Sequence, residues 1–150
     1  MKLGFASDHR GYLLKRQLIE YFSKNEIECF DVGAFNEEKT DYPLYAFKLG
    51  EKVANRTYDF GIAICGSGIG ISIAANKVKA VRAAKVSNVD EAKMTRIDND
   101  SNIISFAASM DLNDAIDLVL AFINTEHEKV ERHDRRIALI SQYEEQGYVS

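Results

Sequence analysis

A glycine-rich turn after a short apolar run is the clearest chemical signal in this sequence. Cys65 ends the run, and three glycines follow within five residues, at Gly66, Gly68 and Gly70. This spacing lets backbone N–H groups converge on an anion at the start of a helix. Ile71 breaks the dinucleotide pattern G-x-G-x-x-G, and the lysine of a nucleotide P-loop is missing. The turn therefore predicts an anion site outside the nucleotide-binding classes, and a tight turn without a ligand is the alternative.

Other polar residues are predicted to lie near the ends of strands, where open parallel sheets bind their ligands. Cys65 enters the glycine turn, where helix N–H groups favour a thiolate that can act as a base or nucleophile. Simple packing, as expected for Cys29, is the alternative. Asp8 and His9 follow the first strand, and the histidine could donate to an anion or cap the next helix. Together with the segment 98–102 before the last strand, these residues are expected to form one pocket if the sheet order brings them together.

Arg132 and Arg136 are spaced i, i+4, which places both guanidinium groups on one face of a predicted helix. Such a pair suits the forked hydrogen bonding of a phosphate. A solvated charged face is the alternative, and spacing alone favours it, because other charged residues crowd the segment: Glu128, Lys129, Glu131, Asp134 and Arg135. No group of His, Cys and carboxylate residues has the spacing of zinc ligands, so we expect no metal.

Short β-rich runs alternate with amphipathic helical stretches along the whole chain. This alternation predicts an α/β fold, a three-layer αβα sandwich with a five-stranded parallel sheet of Rossmann-like type. The predicted strands are 2–7, 27–32, 59–65, 81–86 and 102–107. The predicted helices are one after the first strand, one opened by Pro43 and running toward residue 55, then 69–77, 89–97, 113–124 and about 132–146.

The first helix is predicted to bury one stripe of apolar side chains against the sheet. Leu14, Leu18, Tyr21 and Phe22 follow the i, i+4, i+7, i+8 spacing of such a stripe. The opposite face carries Lys15 with other charged residues, and we expect it to be exposed.

Composition limits the classes of function. The 150 residues, of which 46% are hydrophobic, suit a single domain over 1–150. A net charge of −4 removes the broad basic surface that nucleic-acid or anionic-membrane partners need. The apolar start is too short for a signal sequence or a membrane span, so we expect a cytoplasmic protein. Cys29 and Cys65 are expected to be reduced thiols, because two cysteines cannot build a disulfide framework.

Several motifs taken together indicate a family. They are Ser7-Asp8-His9 with Gly11 and Lys15; Asp31-Val32-Gly33; Thr40-Asp41-Tyr42-Pro43; residues 64–72 continuing through Ala74-Ala75-Asn76-Lys77; Asn99-Asp100 with Asn102; and Arg132-His133 with Arg136. In these motifs the chain resembles the type B ribose-5-phosphate isomerases and the related galactose-6-phosphate isomerase subunits. The resemblance covers nearly the whole length.

The resemblance implies an isomerase without cofactor or metal that opens a sugar ring and moves a proton between C1 and C2 through an enediolate. It implies a homodimer or a dimer of dimers with active sites shared between subunits, and we expect the C-terminal helix 131–146 to pack on the partner. The implied roles are Cys65 as general base; Ser67 with the amides of 66–70, including Gly66, Gly68 and Gly70, as oxyanion donors; His9, Arg132 and Arg136 as phosphate ligands; and Asp8, Tyr42 and Asn99 as contacts to sugar hydroxyls.

Two positions depart from the family pattern. Asp98 stands where the isomerases usually have a ring-opening histidine, and a carboxylate at neutral pH accepts a proton more readily than it donates one. We hypothesise that Asp98 is the ring-opening proton shuttle, with a structural turn role as the alternative. Ser109 stands where many relatives carry an arginine directed at the phosphate.

The expected substrate is ribose 5-phosphate. A hexose 6-phosphate such as galactose or allose 6-phosphate is the alternative, because both departures fall on substrate-facing positions. A catalytically silent sugar-phosphate-binding partner subunit is the non-enzymatic alternative, and a flavodoxin-like or nucleotide-binding module would share the layers without the chemistry.

Overall fold

The computed structural model describes residues 1–150 and contains five strands and six helices. The strands are β1 Lys2–Ser7, β2 Glu28–Asp31, β3 Phe60–Cys65, β4 Ala83–Lys85 and β5 Ile103–Ala107. The helices are α1 Tyr12–Lys24, α2 Tyr42–Ala54, α3 Ile69–Ala75, α4 Val89–Asn99, α5 Leu112–Asn124 and α6 Glu131–Gln146.

The five strands form one parallel sheet in the order β2-β1-β3-β5-β4. The central strands are buried on both faces, with Phe5 paired to Ile62 and Ile62 to Ile104 in the register. Side chains that are apolar on both faces need a helical layer on each side of the sheet. The predicted α/β fold with a five-stranded parallel sheet is confirmed.

Two hydrophobic clusters fill the spaces between the sheet and its two helical layers. On one face α1 and α5 contribute side chains such as Leu18, Phe22 and Phe122. On the other face α2 and α3 contribute side chains such as Leu49 and Ile71, and Cys65 belongs to this second cluster. The residues just before α1 and those around Cys65 therefore approach the sheet edge from opposite faces.

The two edge strands are shorter than predicted by two or three residues, and β3 and β5 are shorter by one. The helix predicted at 69–77 ends at Ala75, and the helix predicted at 89–97 is longer. β2 and β4 contain four and three residues, because each is an outermost strand of the sheet and pairs with only one neighbouring strand. α4 continues through Asp98 and Asn99, which were predicted as a turn. Asp100 ends the helix with φ of 46°, and its N–H bonds to the carbonyl oxygen of Arg96.

The first helix shows one clear error in the predicted burial. Leu14, Leu18 and Phe22 are buried as expected, whereas Tyr21 is about one-third exposed. Lys15 was predicted on the exposed face, but its side chain is fully buried beside β2. The ion pair with Asp31 stabilises Lys15 in this buried position. The apolar periodicity of the helix cannot predict such a partner.

α6 is the least buried helix of the chain. It packs on α4, and His133 is its only buried residue. Leu139, Ile140 and Tyr143 are exposed by 42%, 52% and 61%. None of the helices combines the length and the apolar character that crossing a membrane requires.

Candidate active site

The carboxyl edge of the sheet holds an open cleft between the turns that follow β1 and β3 and the start of α2. The cleft has a volume of about 580 Å³, a size usual for small-molecule sites. Its walls include most of the residues that the sequence nominated: Asp8, His9, Tyr42, Cys65, Gly66, Ser67 and Gly70. Parallel strands bring these residues together, because the strands end at the same edge.

The glycine turn has a conformation that side chains would prevent. Gly68 has φ of 77°, and a Cβ atom there would lie 2.6 Å from the backbone of Phe106. The hydroxyl of Ser105 donates to the carbonyl oxygen of Gly68 at 2.7 Å and fixes the turn to β5. A Cβ atom on Gly70 would lie 2.7 Å from the Tyr42 ring. The missing side chain thus lets the phenol lie directly against the turn.

The turn presents backbone donors that the protein does not use. The N–H groups of Gly66, Ser67 and Gly68 donate to no backbone carbonyl, whereas the N–H of Ile69 donates to the Ser67 hydroxyl oxygen at 3.1 Å. Gly66 and Ser67 line the cleft. Preorganised N–H donors of this kind stabilise negative charge that develops on a bound molecule.

Cys65 lies at the base of this turn as the last residue of β3. Cys65 is only 4% exposed, yet it lines the cleft. Its carbonyl oxygen accepts a hydrogen bond from the N–H of Ala108 at 2.8 Å, which ties the strand end to the turn after β5. The thiol is therefore placed on rigid backbone at the boundary between the core and the ligand space.

Asp8 and His9 are oriented by backbone donors. The N–H of Gly11 donates to Oδ1 of Asp8 at 3.0 Å, so this carboxylate also shapes the entry to α1. The N–H of Thr40 donates to Nδ1 of His9 at 3.3 Å. A backbone N–H can only donate, so Nδ1 carries no proton and Nε2 keeps the N–H. His9 is thus a neutral hydrogen-bond donor at the cleft.

Lys15 supports the segment that leads to Tyr42. Its ammonium group donates to Asp31 Oδ1 at 2.7 Å and to the carbonyl oxygen of Ala34. Asp31 Oδ1 also accepts from the N–H of Gly33 at 2.9 Å. Burial lowers the pKa of Lys15, and the nearby Asp31 carboxylate opposes that shift. This buried ion pair holds the loop after β2, which continues to Thr40 and the start of α2.

The segment 98–102 lies at the amino edge of the sheet, because it precedes β5. The expectation that this segment joins the other two turns in one pocket is wrong within a single chain. β5 contains five residues and spans about 16 Å, which separates Asp98 and Asn99 from the cleft beyond its far end. The same strand direction that gathers Asp8 and Cys65 therefore keeps Asp98 away from them.

Asp98 faces a buried histidine. Nε2 of His133 lies 3.5 Å from Oδ1 of Asp98, and Nδ1 of His133 lies 3.3 Å from the carbonyl oxygen of Glu128. A carbonyl oxygen only accepts, so Nδ1 carries a proton. A carboxylate also accepts, so the contact between Nε2 and Oδ1 is favourable when a second proton lies between them. The Asp98 side chain contacts His133 and makes no hydrogen bond to the backbone of its own turn.

Arg132 and Arg136 are exposed on α6 and have no acidic partner within 4.0 Å. The acidic residues of this segment bind elsewhere: Glu131 pairs with Arg135 at 2.6 Å, and Asp134 binds His127 at 2.8 Å. The two guanidinium groups therefore keep their donors free. They lie near Asp98, because α6 contacts α4 through His133.

Two arginines and a histidine hold this second group of residues in place. Arg82 donates to the carbonyl oxygen of Asn99 at 2.9 Å, and Arg96 donates to Asp100 Oδ1 at 2.7 Å. His127 bridges the carbonyl oxygen of Ile97 and Asp134 Oδ1, both at 2.8 Å. The hydrogen bond to Asp134 raises the pKa of His127, which favours the doubly protonated ring that this bridge requires.

Sequence reasoning missed several residues around the two edges. Arg10, Thr40 and Asp41 line the cleft but were not nominated, and His127 and His133 position the second group. Arg10 could have been found, because it directly follows Asp8 and His9 in a turn after a strand. The histidine contacts join residues about 30 positions apart, and no local pattern reports them. No group of three or more His, Cys, Asp and Glu side chains could hold a metal ion.

Comparison with known proteins places this arrangement in a family. The sequence profile of the ribose/galactose isomerase family matches residues 3–140. The chain belongs to this family. Ribose-5-phosphate isomerase B of Escherichia coli strain K12 is 37% identical over 145 residues, which cover 96% of this chain and 97% of that protein.

Solved structures agree over the same extent. Ribose-5-phosphate isomerase B of Clostridium thermocellum is 40% identical and superposes with a TM-score of 0.94 over 99% of this chain and 100% of that chain. Ribose-5-phosphate isomerase B of Mycoplasma genitalium, solved with bound ribulose 5-phosphate, is 34% identical with a TM-score of 0.91 and 97% coverage of both chains. The family resemblance stated from the motifs is confirmed.

Proposed function

We propose that this family member is an aldose–ketose isomerase that interconverts ribose 5-phosphate and ribulose 5-phosphate. The observation that carries the proposal is the thiol of Cys65 beside the unused N–H donors of the glycine turn, in a cleft whose polar side chains are able to hydrogen-bond hydroxyl groups. The Mycoplasma genitalium relative, which has bound ribulose 5-phosphate, supports the choice of substrate.

The arrangement supports a proton transfer through an enediolate. The Cys65 thiolate removes the proton from C2 of the open-chain aldose, and the electron pair moves to form the C1–C2 double bond with negative charge on O1. The free N–H groups of the turn and the Ser67 hydroxyl stabilise this oxygen. The thiol then returns its proton to C1, and the O2 proton moves to O1, which leaves a carbonyl at C2. Asp8 and Tyr42 hold the sugar hydroxyls.

The second group of residues completes the site from another copy of the chain. Asn99 lies about a strand length from the cleft of its own chain, and Arg132 and Arg136 belong to the helix that packs on α4 beside it. A homodimer, or a dimer of dimers, in which each amino edge faces a partner's cleft brings both groups together. The apolar side chains exposed on α6, Leu139 and Ile140, support its packing on the partner subunit.

Asp98 opens the sugar ring in this proposal. Its carboxylate takes the proton of the anomeric hydroxyl and passes it to the ring oxygen as the C1–O bond breaks, which restores the carboxylate. His133 supports the role, because its Nε2 lies 3.5 Å from Oδ1 of Asp98 and can hold the carboxylate in a fixed orientation. Asp98→Asn should slow turnover of the ring-closed substrate and leave proton exchange on an open-chain analogue intact. Equal rates for Asp98→Asn and the parent protein on the ring-closed sugar would assign Asp98 a structural role.

Incubation of the purified protein with a panel of phosphorylated aldoses and ketoses, followed by NMR, tests the proposed function. We expect conversion of ribose 5-phosphate to ribulose 5-phosphate, with solvent deuterium incorporated at the carbon that receives the proton. Conversion of galactose or allose 6-phosphate in its place would keep the isomerase mechanism and change the substrate. Absence of turnover with every sugar phosphate would favour a silent, sugar-phosphate-binding partner subunit.

A further inference from the structure

Arg10 is the only lysine or arginine that lines the cleft. Its guanidinium lies across the glycine turn, where a Cβ atom on Gly66 would be 2.9 Å from Nη1. Its side chain makes no ion pair and no hydrogen bond within the chain. Five N–H donors thus remain available at a defined place in the site.

The position of Arg10 relative to Cys65 indicates which part of a ligand it meets. Cys65 belongs to the apolar cluster on the α2–α3 face of the sheet. Arg10 lies two residues before the start of α1, which packs on the opposite face. A substrate with its reacting carbons at Cys65 therefore extends its far end toward Arg10. In a sugar phosphate that end carries the phosphate.

The surrounding turns supply no other arginine or lysine at this end. In the sheet order β1-β3-β5, Gly66 lies between the turn that carries Arg10 and the turn that follows β5. That second turn consists of Ala108, Ser109 and Met110, which carry no charge. A phosphate bound there meets the guanidinium of Arg10 and the Nε2–H of His9, which is itself a free donor.

We propose that Arg10 binds the substrate phosphate and determines the preference for phosphorylated over unphosphorylated sugars. This inference rests on the proposed isomerase function for its choice of ligand. The guanidinium fork matches two phosphate oxygens, and charge-assisted hydrogen bonds of this kind are stronger than those between neutral groups. Gly66 is part of the same anion site, because any side chain at this position would displace the Arg10 guanidinium.

Calorimetric titration of the full-length protein with inorganic phosphate, together with sugar kinetics, tests the inference. Arg10→Gln should weaken phosphate binding and raise KM for ribose 5-phosphate by about 10- to 100-fold, with a small change in kcat. Arg10→Lys keeps the charge without the fork and should lie between Arg10→Gln and the parent. Lys52→Gln removes the same charge from the exposed last turn of α2 and should behave like the parent.

The outcomes separate this inference from the proposed function. Unchanged phosphate binding and unchanged KM in Arg10→Gln would overturn the role of Arg10, and so would a loss shared equally by phosphorylated and plain ribose. If phosphate binding depends on Arg10 but the parent isomerises no sugar phosphate, the anion site stands and the isomerase proposal fails. Thermal unfolding without phosphate should be unchanged in Arg10→Gln, because the side chain is exposed.

Discussion

The two edges of the sheet are built by different means. At the carboxyl edge, the geometry of the backbone places the chemistry: Cys65 ends a strand, and Gly68 shapes a turn whose N–H groups are free. At the amino edge, side chains supply the functional groups: Asp98 and Arg136 belong to helices that contacts of Arg96 and His127 hold in place. The first edge depends on local sequence, and the second depends on contacts between distant segments.

This difference suits the chemistry that we propose for each edge. An enediolate needs donors fixed before the charge develops, and backbone amides in a rigid turn provide them. The phosphate and the anomeric hydroxyl need charged or titratable side chains, which in our proposals come from Arg10 at the carboxyl edge and from Asp98, Arg132 and Arg136 at the amino edge. The edges of one chain lie about a strand length apart, so in our proposal each edge is half of a site that assembly of two copies would complete.

The largest expected effect concerns the carboxyl edge. Cys65→Ala should leave folding and substrate binding nearly unchanged and reduce kcat by about 10²- to 10⁴-fold, because it removes the group that moves the carbon-bound proton. Steady-state kinetics and proton exchange by NMR measure it. Cys29→Ala is the matched control: burial raises the pKa of that thiol, which lies in β2 away from the cleft. Retained turnover in Cys65→Ala would exclude a carbon-proton base at this position.

The next effect tests whether the two edges belong to one site. Arg132→Gln and Arg136→Gln should each raise KM for the sugar phosphate by about 10- to 100-fold, since each loses a charge-assisted bond. Arg135→Gln on the same helix should change little, because Arg135 is already paired with Glu131.

Mixing of subunits tests the same comparison directly. At substrate concentrations below the KM of Arg136→Gln, a refolded mixture of Cys65→Ala and Arg136→Gln should turn over substrate faster than the average of the two variants, because a mixed dimer contains one site with both intact residues. If the mixture is only as active as the average of its parts, each site lies within a single chain.

A smaller effect concerns the support of the carboxyl edge. Lys15→Met should lower the free energy of unfolding by about 2 kcal/mol, since Asp31 and the Ala34 carbonyl lose their buried partner while Arg16 remains 3.6 Å from Asp31. Urea denaturation at equilibrium measures it. Lys24→Met on the same helix removes only an exposed pair with Glu20 and should cost less than about 0.5 kcal/mol. Equal stability of the two variants would show that the Lys15 contacts are not stabilising.

The smallest effect concerns the support of the amino edge and depends on pH. The folded pKa of His127 is raised, so its stabilisation is fully present below the unfolded value of about 6.5 and is lost as pH rises through the folded pKa. The stability difference between the parent and His127→Asn should therefore be about 1 kcal/mol larger at low pH than at high pH. Urea denaturation across this range measures it, and the opposite sign would mean that the ring is neutral in the folded protein.

The sequence alone was sufficient for the fold class, the family and the carboxyl edge of the site. Alternating strands and helices, glycine spacing and strand ends are local patterns, and parallel strands necessarily bring the residues that follow them to one edge. Asp8 and Cys65 could therefore be placed together from the order of the elements, whereas Tyr42 was assigned to the site only through the family resemblance.

Only the tertiary structure decided which edge Asp98 occupies, and that Lys15 is buried. Asp98 was grouped with the cleft because it lies near a strand, but it precedes that strand, and direction along the strand decides the edge. Lys15 looks like a surface residue in a helical pattern, because periodicity reports apolar side chains and not the partner that makes a buried charge stable. The contacts of His133 and His127 join separate segments, and such pairings exist only once the chain has folded.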